Sequence, residues 1–184
     1  MLNVIARGII ALSLVAGVVS TTACSTAPES QSGKDQLEDR AAQTLETAKK
    51  NDPSLTKLLD DAKGYAVFPT VGKGAIGIGG AYGKGVLYQA GKVIAYCDLT
   101  QASIGLQLGG QAYSEIIAFE TEGSLGRFKS GNFAFSAQAT AVALKSGAGA
   151  NAKYADGVAV FTMGESGLMY EASIGGQKFS CQPK

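Results

Sequence analysis

The three cysteines carry the most legible chemistry in this chain. Cys24 follows an N-terminal stretch whose lone charge is Arg7, an apolar run from Gly8 to Ser20, and the small residues Thr21, Thr22 and Ala23. An apolar run of about 13 residues falls short of the roughly 20 that a permanent transmembrane helix needs, and the polar residues that follow it mark a signal peptide. Small residues directly before a cysteine resemble a lipobox, the bacterial signal after which the thiol is diacylated and the cysteine becomes the new N-terminus. Thr21 stands where that motif usually has Leu. Ser25-Thr26-Ala27 offers an ordinary cleavage point after Ala27 as the alternative, which Pro28 disfavours. Ser25, where retention in the inner membrane would use Asp, resembles the pattern of lipoproteins forwarded to the outer membrane. The expected location is therefore the bacterial cell envelope, lipid-anchored at the outer membrane through Cys24. Each acyl methylene buried in a bilayer contributes about 0.8 kcal/mol, so several chains on one cysteine make a firm anchor.

Cys97 and Cys181 form an even pair in a compartment where disulfides persist. A bridge between them closes a long loop, worth roughly 4 to 5 kcal/mol on the chain-entropy model. One buried and one exposed thiol is the alternative.

The chain has no His, which removes the commonest general base and the commonest metal ligand. Cys–His and Ser–His–Asp schemes are thereby ruled out. Asp98, Glu115, Glu120, Asp156, Glu165 and Glu171 supply carboxylates, but glycosidase chemistry needs two of them at a set separation, which spacing along the chain does not provide. No catalytic residue, metal site or cofactor is expected, and the chain is expected not to be an enzyme. The full sequence has 16 basic and 15 acidic side chains, and removing residues 1–23 takes away Arg7 alone, so the mature chain is neutral. That balance argues against nucleic acid as a partner.

Gly72-Lys73-Gly74-Ala75-Ile76-Gly77 matches the letters of a dinucleotide fingerprint, and Gly83-Lys84 half of a phosphate loop. The first needs a helix opening at its third glycine, and the glycine-dense run to Gly85 forbids one. The second lacks a glycine five residues earlier, where Ile78 stands, and has Gly85 where Ser or Thr must hold magnesium. Glycines so spaced permit bends, bulges and close backbone contacts within strands. A phosphate-cradling nest of their amides is a further reading.

The elements that position these groups follow from periodicity. Residues 25–36 hold no bulky apolar side chain and read as a flexible spacer. Leu37, Ala41, Leu45 and Ala48 give one helix an apolar face. A second helix is capped by Asp52, carries Pro53 in its first turn, buries Leu55, Leu58, Leu59 and Ala62, and stops at Gly64. From there the period is two. Strands are expected over 65–69, 85–89 and 92–97, the last two a hairpin around Ala90-Gly91 with Val86 and Tyr88 on one face and Leu87 on the other. Further strands are expected over 103–109 and 115–121, then a short helix from Thr121 to Phe128 ending near Gly131. Phe133 to Leu144 alternates as another strand, and 157–162 with 167–174 as a closing hairpin around Gly164-Glu165-Ser166. The fold class is α+β and β-rich: a strongly bent antiparallel sheet or small barrel with the N-terminal helices packed against it. The domain plan is a signal peptide at 1–23, acylated Cys24 and tether at 24–36, and one domain at 37–184.

Three stretches resemble the SYLF-domain family: AKGYAVFPTVGKGAIGIGGAYGKGVLY (62–88), SIGLQLGGQAYSEIIAF (103–119) and GVAVFTMGESGLMYEASIGG (157–176). The resemblance spans nearly the whole domain and implies binding of phospholipid, with no catalytic activity attached. The helix face of Leu37, Ala41, Leu45 and Ala48 lacks the bulky aromatics that insert into bilayers, so it is expected to pack on the sheet. The basic residues proposed for anionic headgroups are Lys73, Lys84, Arg127 and Lys129. The chain is thus expected to be an envelope lipoprotein whose domain engages anionic phospholipid. The alternative is a structural or interaction lipoprotein that binds an envelope protein.

Overall fold

Helix α1 (Gln31–Asn51) starts where the Ser30 hydroxyl accepts from the Gly33 amide at 3.0 Å. The structure, a computed structural model, describes residues 26–76, 78–104, 111–136, 139–164 and 172–184. The signal peptide and Cys24 lie outside the described residues. Leu37, Ala41, Leu45 and Ala48 are all buried on one stripe of α1, and Lys49 and Lys50 in its last turn complement the helix dipole. Helix α2 (Ser54–Asp61) buries Leu55 and Leu59, with Leu58 half-buried.

The expected spacer is shorter than its composition implied. Residues 31–36 belong to α1, and Ala27 is buried at 4% exposure. The cap at Ser30 recruits a polar first turn that would not form a helix by apolar periodicity.

Strands β1 (Gly64–Ile76), β2 (Ile78–Gln89), β3 (Lys92–Ile104) and β4 (Gln111–Phe119) come next, then helix α3 (Glu122–Lys129). Strands β5 (Thr140–Ala143), β6 (Val158–Gly164), β7 (Ala172–Ser173) and β8 (Gln177–Pro183) complete the sheet, in the order β7-β5-β6-β4-β1-β2-β3-β8. Every neighbouring pair is antiparallel except β5 and β6, which run parallel, so the sheet is mixed rather than wholly antiparallel. The β2–β3 turn places Ala90 at φ 50° and Gly91 at φ 73°, the two positive values that match a tight turn to the twist of its strands.

Strands β7 and β8 lie at opposite edges, although Ile174, Gly175 and Gly176 are all that separate them in the chain. The sheet must therefore curl until its edges approach. The segment after α3 fills the seam: the Phe135 amide donates to Gln177 O at 3.2 Å, Gly176 to Phe135 O at 3.1 Å, and Ile174 to Ala139 O at 3.1 Å. Among the described residues no ladder joins β7 to β8, so the sheet is strongly bent and open, and the closed-barrel alternative does not hold.

The curl gives the sheet two apolar faces. Outward, Val67, Val86, Tyr88, Tyr96, Ile116 and Phe161 meet the stripe of α1 and α2. Inward, Phe68, Leu87, Ile117, Phe119, Val160 and Phe179 meet Leu125 and Phe128 of α3. The Phe128 ring centroid lies 4.8 Å from those of both Phe119 and Phe179, tilted at 50° and 42°, which plugs the interior with aromatic rings. No helix among the described residues is long and apolar enough to cross a membrane.

Two strand expectations need correction, and one strand lies where none is expected. Among the described residues of the expected strand from Phe133 to Leu144, only Thr140–Ala143 form one, because Phe133 and Phe135 instead turn into the aromatic cluster. The described end of the closing hairpin, β7, pairs with β5 rather than with β6. Strand β8 is absent from the periodicity reading, yet it pairs with β3 over seven residues from Ala95 to Gln101. Most of the strand expected at 103–109 falls outside the described residues, as do residues 165 and 166 of the expected turn, whose first residue, Gly164, ends β6.

Candidate functional site

Where the rolled sheet is not sealed, a cleft of about 410 Å³ runs between α3, the 132–136 segment and the 153–160 segment. That volume is within the usual range for small-ligand sites, roughly 300–1,000 Å³. Phe133, Phe135, Val160 and Ile174 supply apolar walls that also belong to or pack on the inner core, so the cleft leads from solvent into the interior. Val142 also lines it, although it is 44% exposed.

Two exposed cations, Arg127 and Lys153, share this lining with Asp156. Helix α3, which carries Arg127 in its last turn, starts at a capping box: the Thr121 hydroxyl accepts from the Ser124 amide at 3.1 Å, and the Ser124 hydroxyl accepts from the Thr121 amide at 3.3 Å. Arg127 Nη2 then donates to Asp156 O at 3.0 Å, across a turn in which Asp156 and Gly157 have φ of 52° and 78°. A guanidinium has five N–H donors, so most remain for an anion. An apolar volume with cations at its edge suits an amphiphilic anion, with tail inside and head at the rim.

The four basic residues expected to meet headgroups do not converge. Arg127 lines the cleft. Lys129, two residues on in the last turn of α3, is exposed but does not line it. Lys73 lies on β1 opposite Ala81 and Gln111 and is half-buried. Lys84 on β2 is engaged by Asp98 at 3.2 Å and by Thr26 O at 3.0 Å. Burial alone would lower its pKa, but the Asp98 carboxylate outweighs it and holds the ammonium charged. Lys153, in an aperiodic segment, carries no sequence signal for this role, and only the fold brings it to the same cleft as Arg127.

Among its described residues the glycine-rich run forms strand ladders rather than a phosphate nest. Gly72, Gly74, Gly79, Gly80, Gly83 and Gly85 take part in the β1–β2 and β2–β3 ladders. Their close-contact role is real: a Cβ on Gly85 would lie 2.6 Å from the Phe68 ring and from Val67 O, beside the bulge in β1.

A polar layer lies inside the sheet. Glu115 on β4 is fully buried, and Gln177 Nε2 on β8 donates to its Oε2 at 3.0 Å and to Tyr113 Oη at 3.3 Å. Burial pushes the Glu115 carboxyl up to about 8, against which the bond from Gln177 acts weakly. Burial, with the Glu115 charge beside it, likewise pushes the Tyr113 hydroxyl up. Among the described residues Glu115 Oε1, Gln177 Oε1 and the hydroxyl of Thr162, the β6 partner of Glu115, have no hydrogen-bond partner. Cys97 and Cys181, paired across β3 and β8, are disulfide-bonded on the same inner side.

No family model matches the chain. Beta cell expansion factor A of Aeromonas veronii, a curated protein, is 33% identical over 129 residues, covering 69% of this chain and 49% of that protein. The chain thus spans about half the length of that relative.

Proposed function

We propose that this protein is an envelope lipoprotein, anchored through acylated Cys24, whose SYLF-like domain binds an anionic phospholipid. The observation that carries this reading is the cleft. Its apolar walls of Phe133, Phe135, Val160 and Ile174 suit an acyl chain, and Arg127 and Lys153 suit a phosphate. Binding there requires no catalytic group and no metal.

The packing of the first described residues supports processing at Cys24 rather than after Ala27. A cut after Ala27 would strip off the Thr26 carbonyl that Lys84 binds and a side chain that is 4% exposed.

Native mass spectrometry of the mature chain carrying Cys24→Ser, mixed with phosphatidylglycerol, tests the reading. One bound lipid per chain is expected. Val142→Trp, which fills the cleft from an exposed position, should abolish the adduct while leaving the fold intact. Adducts that are equally abundant in both proteins would place the lipid elsewhere. No adduct in either would favour an interaction protein that engages an envelope partner.

A further inference from the structure

The described chain begins at Thr26, already fastened to the outward face of the sheet. Lys84 Nζ donates to Thr26 O at 3.0 Å, the Thr26 and Ser180 hydroxyls lie 3.5 Å apart, and the Ala27 amide donates to Gln182 Oε1 at 3.4 Å. Lys84, Asp98 and Ser180 are register partners, forming one row across β2, β3 and β8. Thr26 is thus bonded to both ends of that row.

Cys24 is two residues upstream, and two residues span at most about 7 Å. Same-face residues along a strand are spaced by about the same distance. Covalent reach therefore ties an anchor at Cys24 to within about that distance of Thr26, which is bonded to the row Lys84–Asp98–Ser180. On one side the neighbouring row, Val86, Tyr96 and Gln182, has Val86 and Tyr96 buried in the cluster under α1. On the other, Tyr82, Thr100 and Lys178 are register partners and all exposed, Tyr82 at 50%.

We infer that the row Tyr82–Thr100–Lys178, on the outward face of β2, β3 and β8, lies against the bilayer that holds the acyl chains of Cys24. This rests on the lipid-anchor reading above. The short leash holds the domain on its own membrane in one orientation, so it does not swing out on a spacer. The residues fit that surface. Tyrosine has an apolar ring and a polar tip suited to the headgroup level, and lysine is attracted to anionic headgroups. The Tyr82 hydroxyl is oriented by Asp98 at 3.4 Å.

The chain contains no Trp, so a single introduced Trp reports one position without background. Tyr82→Trp reports the inferred face. Ala150→Trp reports the far end of α1: the Ala150 amide donates to Ser54 Oγ, just past the C-terminus of that 21-residue helix. At 1.5 Å per residue, α1 sets that end about 30 Å from its start. The full-length acylated protein is reconstituted in phosphatidylethanolamine/phosphatidylglycerol vesicles containing lipid brominated near the headgroup, and the mass of the Cys24 peptide is recorded for each sample. Strong quenching of Tyr82→Trp is expected, with little quenching of Ala150→Trp, and a ten-residue Gly/Ser insertion between Ser25 and Thr26 should sharply reduce the former. Acylated Cys24 with equal quenching at both positions, or with no effect of the insertion, overturns the inferred surface alone. A Cys24 peptide without acyl chains overturns the anchor and the surface together.

Discussion

Gln177, the first residue of the last strand, reaches across the rolled sheet to the Glu115 carboxyl group on β4 at 3.0 Å. The bond ties an edge strand to a central one through the interior. Because burial raises the Glu115 pKa to about 8, the folded protein holds a proton there that the unfolded chain releases near its ordinary value.

Stability should therefore fall as pH rises from about 5 to 8 and level off above that, since over this window the folded state binds more protons than the unfolded one. Glu115→Gln keeps an acceptor for Gln177 and removes the titration. Urea midpoints at pH 5, 7 and 8 should decline for the parent and stay nearly level for the variant. A parallel decline in both would place the pH dependence in other groups.

Replacing Cys97 and Cys181 together by Ala frees a loop with a sequence separation of 84 residues. The chain-entropy model sets the cost at about 4 to 5 kcal/mol, with less expected because seven residues of β8 still pair with β3. Urea unfolding of the double variant should match that of the parent under reductant.

Asp52 clamps the 147–149 loop to the start of α2, accepting from the amides of Gly147 at 3.1 Å and Gly149 at 2.5 Å and from Ser54 Oγ at 2.6 Å. Burial opposes its charge, but these bonds, led by Ser54, prevail and hold the carboxyl below its usual range. Its stabilisation is present above the unfolded carboxyl value, near pH 4, and is lost as pH falls through the folded value. Asp52→Ala should cost roughly 1–3 kcal/mol at neutral pH. Hydrogen exchange should rise first at Gly147 and Gly149.

Gly85→Ala places a methyl against the Phe68 ring and Val67 O at 2.6 Å. Overpacking of this kind costs about 1–3 kcal/mol. Thermal unfolding should show the loss, whereas Gly126→Ala, in open space on α3, should cost nothing.

Local chemistry made much of this fold legible. The stripe from Leu37 to Ala48, the cap at Thr121 and the turn at Ala90-Gly91 are each specified by neighbours in sequence, and each forms where expected. Strand β8 and the meeting of β7 with β5 depend on partners far along the chain, which periodicity does not encode. The site divides in the same way. Arg127 sits beside a recognisable helix terminus, while Lys153 acquires its place only when the sheet curls and brings the 153–160 segment to α3. Lys84 looked available in sequence because its partners, Asp98 and the Thr26 carbonyl, are remote from it in the chain.

Recognition of anionic lipid through the cleft can be measured by sedimentation with vesicles. The mature chain with Cys24→Ser should pellet with phosphatidylglycerol vesicles and not with phosphatidylcholine, and added salt should weaken binding. Arg127→Gln and Lys153→Gln should each lower affinity about fivefold, the worth of roughly 1 kcal/mol per cation at an anionic surface, while Lys129→Gln has a smaller effect. Failure to pellet with either lipid, or binding indifferent to both substitutions, would mean that the cleft does not recognise anionic lipid.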